Sequence, residues 1–369
     1  MSELHVIVRE ITEVYPHPNP ECEKLEYIRI GGWPVIVGKQ YGFKVGQPLV
    51  YFPPDSVVSE GLAIKLGILK YLQPVIAGDG VISGYRVRAA RLMGEPSFGT
   101  IDHEFPSDWV VDQDVTELLG VTKYEPPPET VDLNADEPKA TFFRYTDIVD
   151  IRDWARIVEE GEEVVFTEKL HGRNCRSGLI KDMIDGKEQY VFMGGSNEIR
   201  VRGLDHDGEP SMYWIPLRDE RVRKMLFDLS QNQSDVILFS EVIGSGKIQD
   251  LSYGYQDGKK GYRAFDLMVN GKFIDFDQKM EVFRRYDIPT VPHLYRGPFS
   301  WKSMEEHTDG PTTLTDPAKL TTKFKGREGI VVAPVKERYD RRLTGESKRV
   351  IFKIISVDFI ARKNGTEYH

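Results

Sequence analysis

Apolar residues in the first third of the chain come in short runs: Leu25-Glu26-Tyr27-Ile28-Arg29-Ile30, Val35-Ile36-Val37, Leu49-Val50-Tyr51-Phe52 and Gly84-Tyr85-Arg86-Val87-Arg88. Each has the length of a strand, and Gly31-Gly32, Val45-Gly46-Gln47 and Pro53-Pro54 separate them as turns do. Short strands in close succession predict a small β-barrel. Asp114 to Gly120 reads as a short capped helix. Beyond Phe142 the pattern mixes helix and strand. Asp153 to Glu160 is expected as a helix that Gly161 can end, and Arg218 to Ser230 sets Val222, Met225, Leu226 and Leu229 at the i, i+3, i+4, i+7 spacing of an amphipathic helix. Strand-like segments surround these helices: Glu163–Phe166, Tyr190–Met193, Val236–Phe239, Tyr262–Phe265, Gly329–Val332 and Val350–Lys353.

Between the two patterns, Tyr124-Glu125-Pro126-Pro127-Pro128-Glu129 through Pro138 is acidic, proline-rich and poor in apolar residues, which is the composition of a linker. The expected fold class is therefore α+β, with an all-β barrel over 1–123, a linker over 124–141 and an α+β domain on antiparallel sheets over 142–369. Ahead of the barrel strands, Pro16-His17-Pro18-Asn19 leads into Glu23-Lys24-Leu25-Glu26, and this arrangement resembles the opening of OB-fold modules of the tRNA-binding type. An ordinary proline-rich hairpin opening reads the same way.

Length, composition and charge narrow the possibilities. At 369 residues the chain has room for two or three domains of roughly 100–200 residues. It is 40% hydrophobic and 29% charged, and no apolar run approaches the roughly 18–20 residues that span a bilayer. The segment Met1-Ser2-Glu3-Leu4-His5-Val6-Ile7-Val8-Arg9 does not read as a secretory signal, so a soluble, cytoplasmic protein without membrane partners is expected. Two cysteines, Cys22 and Cys175, exclude a disulfide framework or a Cys-rich zinc site by count. The net charge of −9 means that any nucleic-acid surface has to be a local basic patch.

The candidate chemistry centres on Thr167-Glu168-Lys169-Leu170-His171-Gly172-Arg173-Asn174. A lysine at a buried strand end is costly unless it snorkels to solvent or meets acceptors. Four further segments follow in order: Leu238-Phe239-Ser240-Glu241-Val242-Ile243-Gly244, Ala264-Phe265-Asp266, Arg327-Glu328-Gly329-Ile330-Val331-Val332 and Arg349-Val350-Ile351-Phe352-Lys353. Singly, each has an ordinary structural explanation: a salt-bridged Glu241, a core Phe265, a hairpin turn at Glu328-Gly329, a solvated Lys353. Together and in order they resemble the motifs of the covalent nucleotidyltransferases, specifically ATP-dependent RNA ligases of the Deinococcus and Naegleria type with an N-terminal OB module. DNA ligases have Asp-Gly where this chain has His171-Gly172, which points to RNA.

The resemblance implies an enzyme that joins 5′-phosphate and 3′-hydroxyl ends in RNA repair, sealing nicks whose 3′-hydroxyl strand is RNA. It would use ATP and a divalent metal, Mn or Mg, and act as a monomer on nicked or broken RNA or an RNA/DNA duplex. Lys169 would be the nucleophile; its amine must lose a proton to attack, against a free-lysine pKa of about 10.4. Glu328 would hold the metal, Glu241 the ribose hydroxyls, Phe265 the adenine and Lys353 the α-phosphate. Glu168 and His171 would orient nucleotide and phosphates, Gly172 would permit close backbone approach, and Asn174 would hydrogen-bond the nucleotide.

Two departures from the family pattern stand out. Related ligases often carry two lysines one residue apart in the last motif, whereas Lys353 is followed by Ile354 and Ile355. The segment after the nucleophile reads Gly194-Gly195-Ser196-Asn197-Glu198-Ile199-Arg200, with Arg200 a possible phosphate contact. Arg152, with Arg144 as alternative, is the candidate for the ATP phosphates, and a helix-cap salt bridge fits Arg152 equally. Lys325 and Arg327, in a basic run with Lys319 and Lys323, are possible phosphate or RNA contacts, though a solvated face is the default. Asp205-His206-Asp207-Gly208-Glu209 lacks the downstream glutamate of a calcium loop, and Cys175 reads as a small buried residue. Competing readings are a non-catalytic RNA-binding protein, a DNA ligase and a capping-like nucleotidyltransferase.

Overall fold

The computed structural model describes residues 4–76, 80–124, 135–154, 156–204, 208, 210–245, 251–320, 324–343 and 348–360. One compact unit takes in Met1–Pro128, Asp150–Ala155 and Val357–His369; the other takes in Glu129–Val149 and Arg156–Ser356.

In the first unit, a nearly closed antiparallel sheet orders Thr100–Asp102, Pro48–Phe52, Ile7–Pro16, Leu25–Ile30 and Trp33–Gly38, the barrel-like arrangement expected from the pattern. Its central strand, Ile7–Pro16, is not among the predicted strands, because Arg9, Glu10, Thr12 and Glu13 dilute its apolar content. It pairs through Ile7 and Tyr51 on one side and through Ile11 and Ile30 on the other, with a bulge between Ile11 and Glu13. Val6, Val8, Val50, Phe52, Val58 and Val87 fill the core. The helix expected over Asp114–Gly120 is a single turn: Leu119 N donates to Val115 O at 3.0 Å, Asp114 is held in a backbone bridge to Ile7, and Gly120 at φ +62° ends it. The Asp153–Glu160 helix is also replaced. Asp150 Oδ1 accepts the Arg152 amide at 2.9 Å and starts a 3-10 turn over Ile151–Trp154, and no helix follows among the described residues up to Gly161.

The second unit stacks two antiparallel sheets. The larger orders Arg200–Val201, Lys187–Gly195, Arg173–Ile184, Val236–Gly244, Lys260–Val269 and Lys272–Phe273. Helices cover one of its faces, where Leu217, Val222, Met225, Leu226 and Phe283 meet Leu179, Val236, Leu238 and Leu267. The main amphipathic helix spans Glu220–Ser230, two residues later than predicted, because Asp219 caps it by accepting the Arg221 amide at 3.0 Å. Against the opposite face lies the second sheet, in which Phe352–Ile355, Gly329–Pro334, Glu163–Lys169 and His293–Pro298 lie in that order. Ile180, Ile237, Phe239 and Met268 pack there with Val331, Ala333 and Ile351.

A buried charge cluster joins the two sheets. Asp266, fully buried on Lys260–Val269, accepts from Tyr145 Oη and Lys279 Nζ, each at 2.8 Å, and pairs with Arg349 Nη2 at 2.7 Å. Arg349, just ahead of Phe352–Ile355, also binds Glu337 at 2.8 Å and lies 3.6 Å above the Phe273 ring. Burial alone would raise the Asp266 pKa, but Arg349 and Lys279 hold it below its ordinary value. Taking away the carboxylate leaves the buried Lys279 ammonium without its carboxylate and Arg349 with Glu337 as its remaining carboxylate. Asp266→Ala is expected to lower the unfolding free energy by about 3–5 kcal/mol, read as a lower urea midpoint, whereas Glu281→Ala, on an exposed pair with Arg285, leaves the midpoint in place.

Candidate active site around Lys169

Lys169 is the last residue of its strand and lies opposite Gly329 in the antiparallel register, so the residue before Gly329 stands beside it. That residue is Glu328, whose Oε1 accepts from Lys169 Nζ. Glu328 is almost fully buried and the lysine side chain is a quarter exposed, so the pair closes the floor of a site that opens at the ammonium. Glu328 Oε2 faces His171 Nδ1 at 3.6 Å. On the next strand, Lys353 is buried and in register with Val331, on the face that packs toward the larger sheet.

The chain then turns through Leu170, His171 and Gly172 into Arg173–Ile184, passing from one sheet to the other. Gly172 N donates to Glu241 Oε1 at 2.9 Å, and His171 N donates to Tyr253 Oη at 2.7 Å. A Cβ on Gly172 would stand 2.3 Å from Val242 O, so only glycine fits. Asn174 is in register with Glu241, and its Oδ1 is buried with no hydrogen-bond partner among the described residues.

Lys169, His171, Gly172, Glu241 and Glu328 are thus linked by hydrogen bonds, charge and the chain turn, Asn174 is in register with Glu241, and Lys353 lies on the same face of its sheet as Lys169. Phe265 stands close by, on a β-bulge: Phe239 pairs with Asp266 and Ser240 with Ala264, leaving Phe265 without a cross-strand partner. Its ring is partly buried, with Tyr145 edge-on at 4.9 Å.

Other expected contacts are engaged elsewhere. Glu168, one residue from Lys169, points to the opposite face of the strand, as the period of two requires. It is 1% exposed and accepts from Thr312 Oγ1 at 2.5 Å, Thr313 N at 2.8 Å and Thr313 Oγ1 at 2.7 Å, so it secures the 312–313 segment instead of reaching phosphate. Arg327 is buried and donates to His307 O at 2.9 Å and Pro311 O at 3.0 Å, which removes it as an RNA contact. Lys325 is exposed, with Nζ on Leu320 O. Arg200 pairs with Asp136 at 3.1 Å and Arg144 with Glu198 at 2.6 Å. Arg152 belongs to the first unit, where Asp150 binds its guanidinium at 2.6 and 2.8 Å and Trp33 lies 3.6 Å beneath it; the salt-bridge reading describes its environment. Cys175 is buried, and burial pushes its thiol up to about 12, out of reactive range. Lys323, Asp205, His206, Asp207 and Glu209 lie outside the described residues.

The site also contains residues that no motif predicted. Tyr253 sits in Ser252-Tyr253-Gly254, and Thr312-Thr313 in a polar stretch; both read in sequence as ordinary turns.

The two carboxylates are driven apart. Burial pushes Glu241 up to about 8, with Lys169 opposing and the charge on Glu328 reinforcing the shift. Burial also acts to raise Glu328, but Lys169 and His171 outweigh it and hold the carboxyl down at about 2. One site therefore keeps an ionised carboxylate beside the lysine and a second that readily retains its proton.

Residues 162–355 match the model of the RNA ligase family. Among solved structures, the chain is similar to the Naegleria gruberi RNA ligase with pyrophosphate, at 23% identity and TM-score 0.71, covering 97% of this chain and 98% of that one. It is also similar to a mutant of the same protein with ATP and Mn, at 22% identity and TM-score 0.72, covering 98% and 99%, and to another with AMP and Mn, at 22% identity and TM-score 0.70, covering 98% and 99%. These likenesses establish a shared fold over nearly the whole chain. No curated protein matches it.

The Glu241 shift has a testable sign. A carboxyl whose folded pKa is raised contributes stability that is complete below its unfolded value, near 4.5, and is lost as pH rises to about 8. Glu241→Gln copies the protonated form and keeps an oxygen for the Gly172 amide. Without nucleotide, its melting midpoint should match wild type near pH 5 and exceed it increasingly up to pH 8; a constant difference across that range would contradict the shift.

Proposed function

The chain belongs to the RNA ligase family, and we propose that it is an ATP-dependent ligase that seals 5′-phosphate to 3′-hydroxyl ends through a covalent adenylate on Lys169. The observation that carries this reading is the partly open Lys169 ammonium, set on a buried Glu328 that also faces His171, with Glu241 close enough to feel both charges and Lys353 on the same sheet face. RNA binding alone does not call for a partly exposed lysine paired with a buried carboxylate.

In the first step the Lys169 ammonium gives up a proton and its nitrogen bonds to the α-phosphorus of ATP. The bond from that phosphorus to the bridging oxygen breaks, and pyrophosphate leaves as the nitrogen sheds a second proton to solvent. Lys353 supplies a fixed cation for the α-phosphate throughout, Glu241 keeps Oε2 for a ribose hydroxyl while Oε1 holds Gly172, and Phe265, partly buried beside Tyr145, stacks on adenine. In the second step the adenylate passes to a 5′-phosphate. In the third, a 3′-hydroxyl displaces AMP and the strand is closed. Positioning and charge carry each of these transfers.

The residues also fit a divalent ion. Glu328 Oε2 is buried without a hydrogen-bond partner among the described residues, so this carboxylate with phosphate and water oxygens would hold the ion. When bound, such an ion neutralises phosphate charge. The solved Naegleria gruberi structures with ATP and Mn support Mn or Mg with ATP. Nicked or broken RNA, including RNA/DNA duplexes with an RNA 3′-hydroxyl strand, is the proposed substrate.

Incubation with α-labelled ATP and Mn or Mg should leave label on the denatured wild-type protein and none on Lys169→Ala. Glu328→Gln should label at least about tenfold more slowly, because a buried ionic partner is lost. A nicked duplex with an RNA 3′-end should then be joined. Absence of label on wild type, or equal label on Lys169→Ala, defeats the assignment; label without joining leaves an adenylyltransferase and removes the ligase.

A further inference from the structure

The turn behind Lys169 is held by a residue outside every motif, and the role assigned to that residue rests on Lys169 being the adenylylated nucleophile. Tyr253 is 4% exposed, and its hydroxyl accepts the His171 amide at 2.7 Å. The next amide, that of Gly172, goes to Glu241 at 2.9 Å. Two successive peptides of the turn are therefore tied to side chains from separate parts of the chain. Tyr253 holds a left-handed backbone, φ +49°, which a bulky aromatic residue adopts only where its surroundings fix it.

Gly254 comes next at φ +84°, and a Cβ there would stand 3.0 Å from Thr315 Oγ1. Thr315 continues the segment whose Thr312 and Thr313 bind Glu168. Both flanks of Lys169 are thus held by hydrogen bonds, Glu168 by the threonines and His171 by Tyr253. Burial pushes the phenol well above its ordinary value, with the carboxylates of Glu328, Glu168 and Glu241 adding to the shift, so it remains neutral.

We propose that Tyr253 is a positioning residue for adenylylation: by holding the His171 amide it fixes the turn Lys169-Leu170-His171-Gly172, so that the Lys169 amine leaves Glu328 for the α-phosphate by side-chain rotation alone. The same turn aims His171 Nδ1 at Glu328 Oε2, 3.6 Å away. The effect belongs to the reaction in which the lysine is the nucleophile. Sealing of an RNA end that already carries AMP needs no lysyl-adenylate and so does not depend on it.

Tyr253→Phe keeps the ring and removes the acceptor, leaving a buried amide unpaired. At saturating labelled ATP with Mn, its rate of Lys169 adenylylation should fall about tenfold or more, with KM for ATP within about twofold of wild type. Sealing of a chemically preadenylylated RNA nick by the same protein should stay within about twofold, which also shows that the variant is folded. Adenylylation at the wild-type rate overturns the proposal. Equal loss of both reactions also overturns it, since that pattern marks a packing role only. A wild-type protein that takes no label removes the ligase reading itself, a result visible before any variant is compared.

Discussion

Lys169 and Glu328 are 159 residues apart in the chain and meet because Glu163–Lys169 pairs antiparallel with Gly329–Pro334. An ammonium or a carboxylate taken alone into this interior would carry a large desolvation penalty, and each relieves that of the other. The register is consequently specified twice over. Shifting the strand by one residue would turn Lys169 to the far face and bring Glu168 into the site, separating Lys169 from Glu328 and Glu168 from Thr312 and Thr313. Lys169 and the residue beside it thus enforce the same alignment from opposite faces.

Around this pair the second unit supplies a stiff frame. The two sheets meet through Ile237, Phe239, Val331 and Ile351, and the buried Asp266–Arg349 pair links a strand of one sheet to the approach of a strand of the other. Phe265 precedes Asp266, and Arg349 stands four positions before Lys353, so the residues proposed for adenine and α-phosphate are anchored by the same ionic contact. Transfers that proceed mainly by positioning gain from such a frame, because the groups are oriented before the substrate arrives.

The arginines show how charge is divided between structure and chemistry in an acidic chain. Arg327, Arg349 and Arg176 are buried, with their donors on carbonyls or carboxylates within the second unit, and Arg152 is held by Asp150 in the first. A planar group with several donors in a fixed fork suits this bracing role. Around Glu328 and Glu241 the charges are mixed: Lys169 and Lys353 are compact cations suited to a phosphate, and Arg173 acts on Glu241.

Much of this was legible in the sequence, for an identifiable reason. Strands that pack in the core, such as Val236–Gly244 and Gly329–Pro334, declare themselves as apolar runs, and the helix at Glu220–Ser230 by its spacing, because burial of one face acts over a few residues. Ordered short motifs pointed to Lys169, Glu241, Glu328 and Lys353 because each sets a charged residue in or beside an apolar run. Ile7–Pro16 escaped because its charged positions dilute the apolar signal, and the helix expected at Asp153–Glu160 gave way to a turn started by the Asp150 carboxylate. Which way a side chain points, and what it meets across more than a hundred residues, has no local signature. Tertiary structure alone decided that Glu168 braces a loop, that Arg327 and Arg152 are internal, and that Tyr253 reaches the His171 amide, because hydrogen-bond partners are selected by three-dimensional proximity once the sheets have closed.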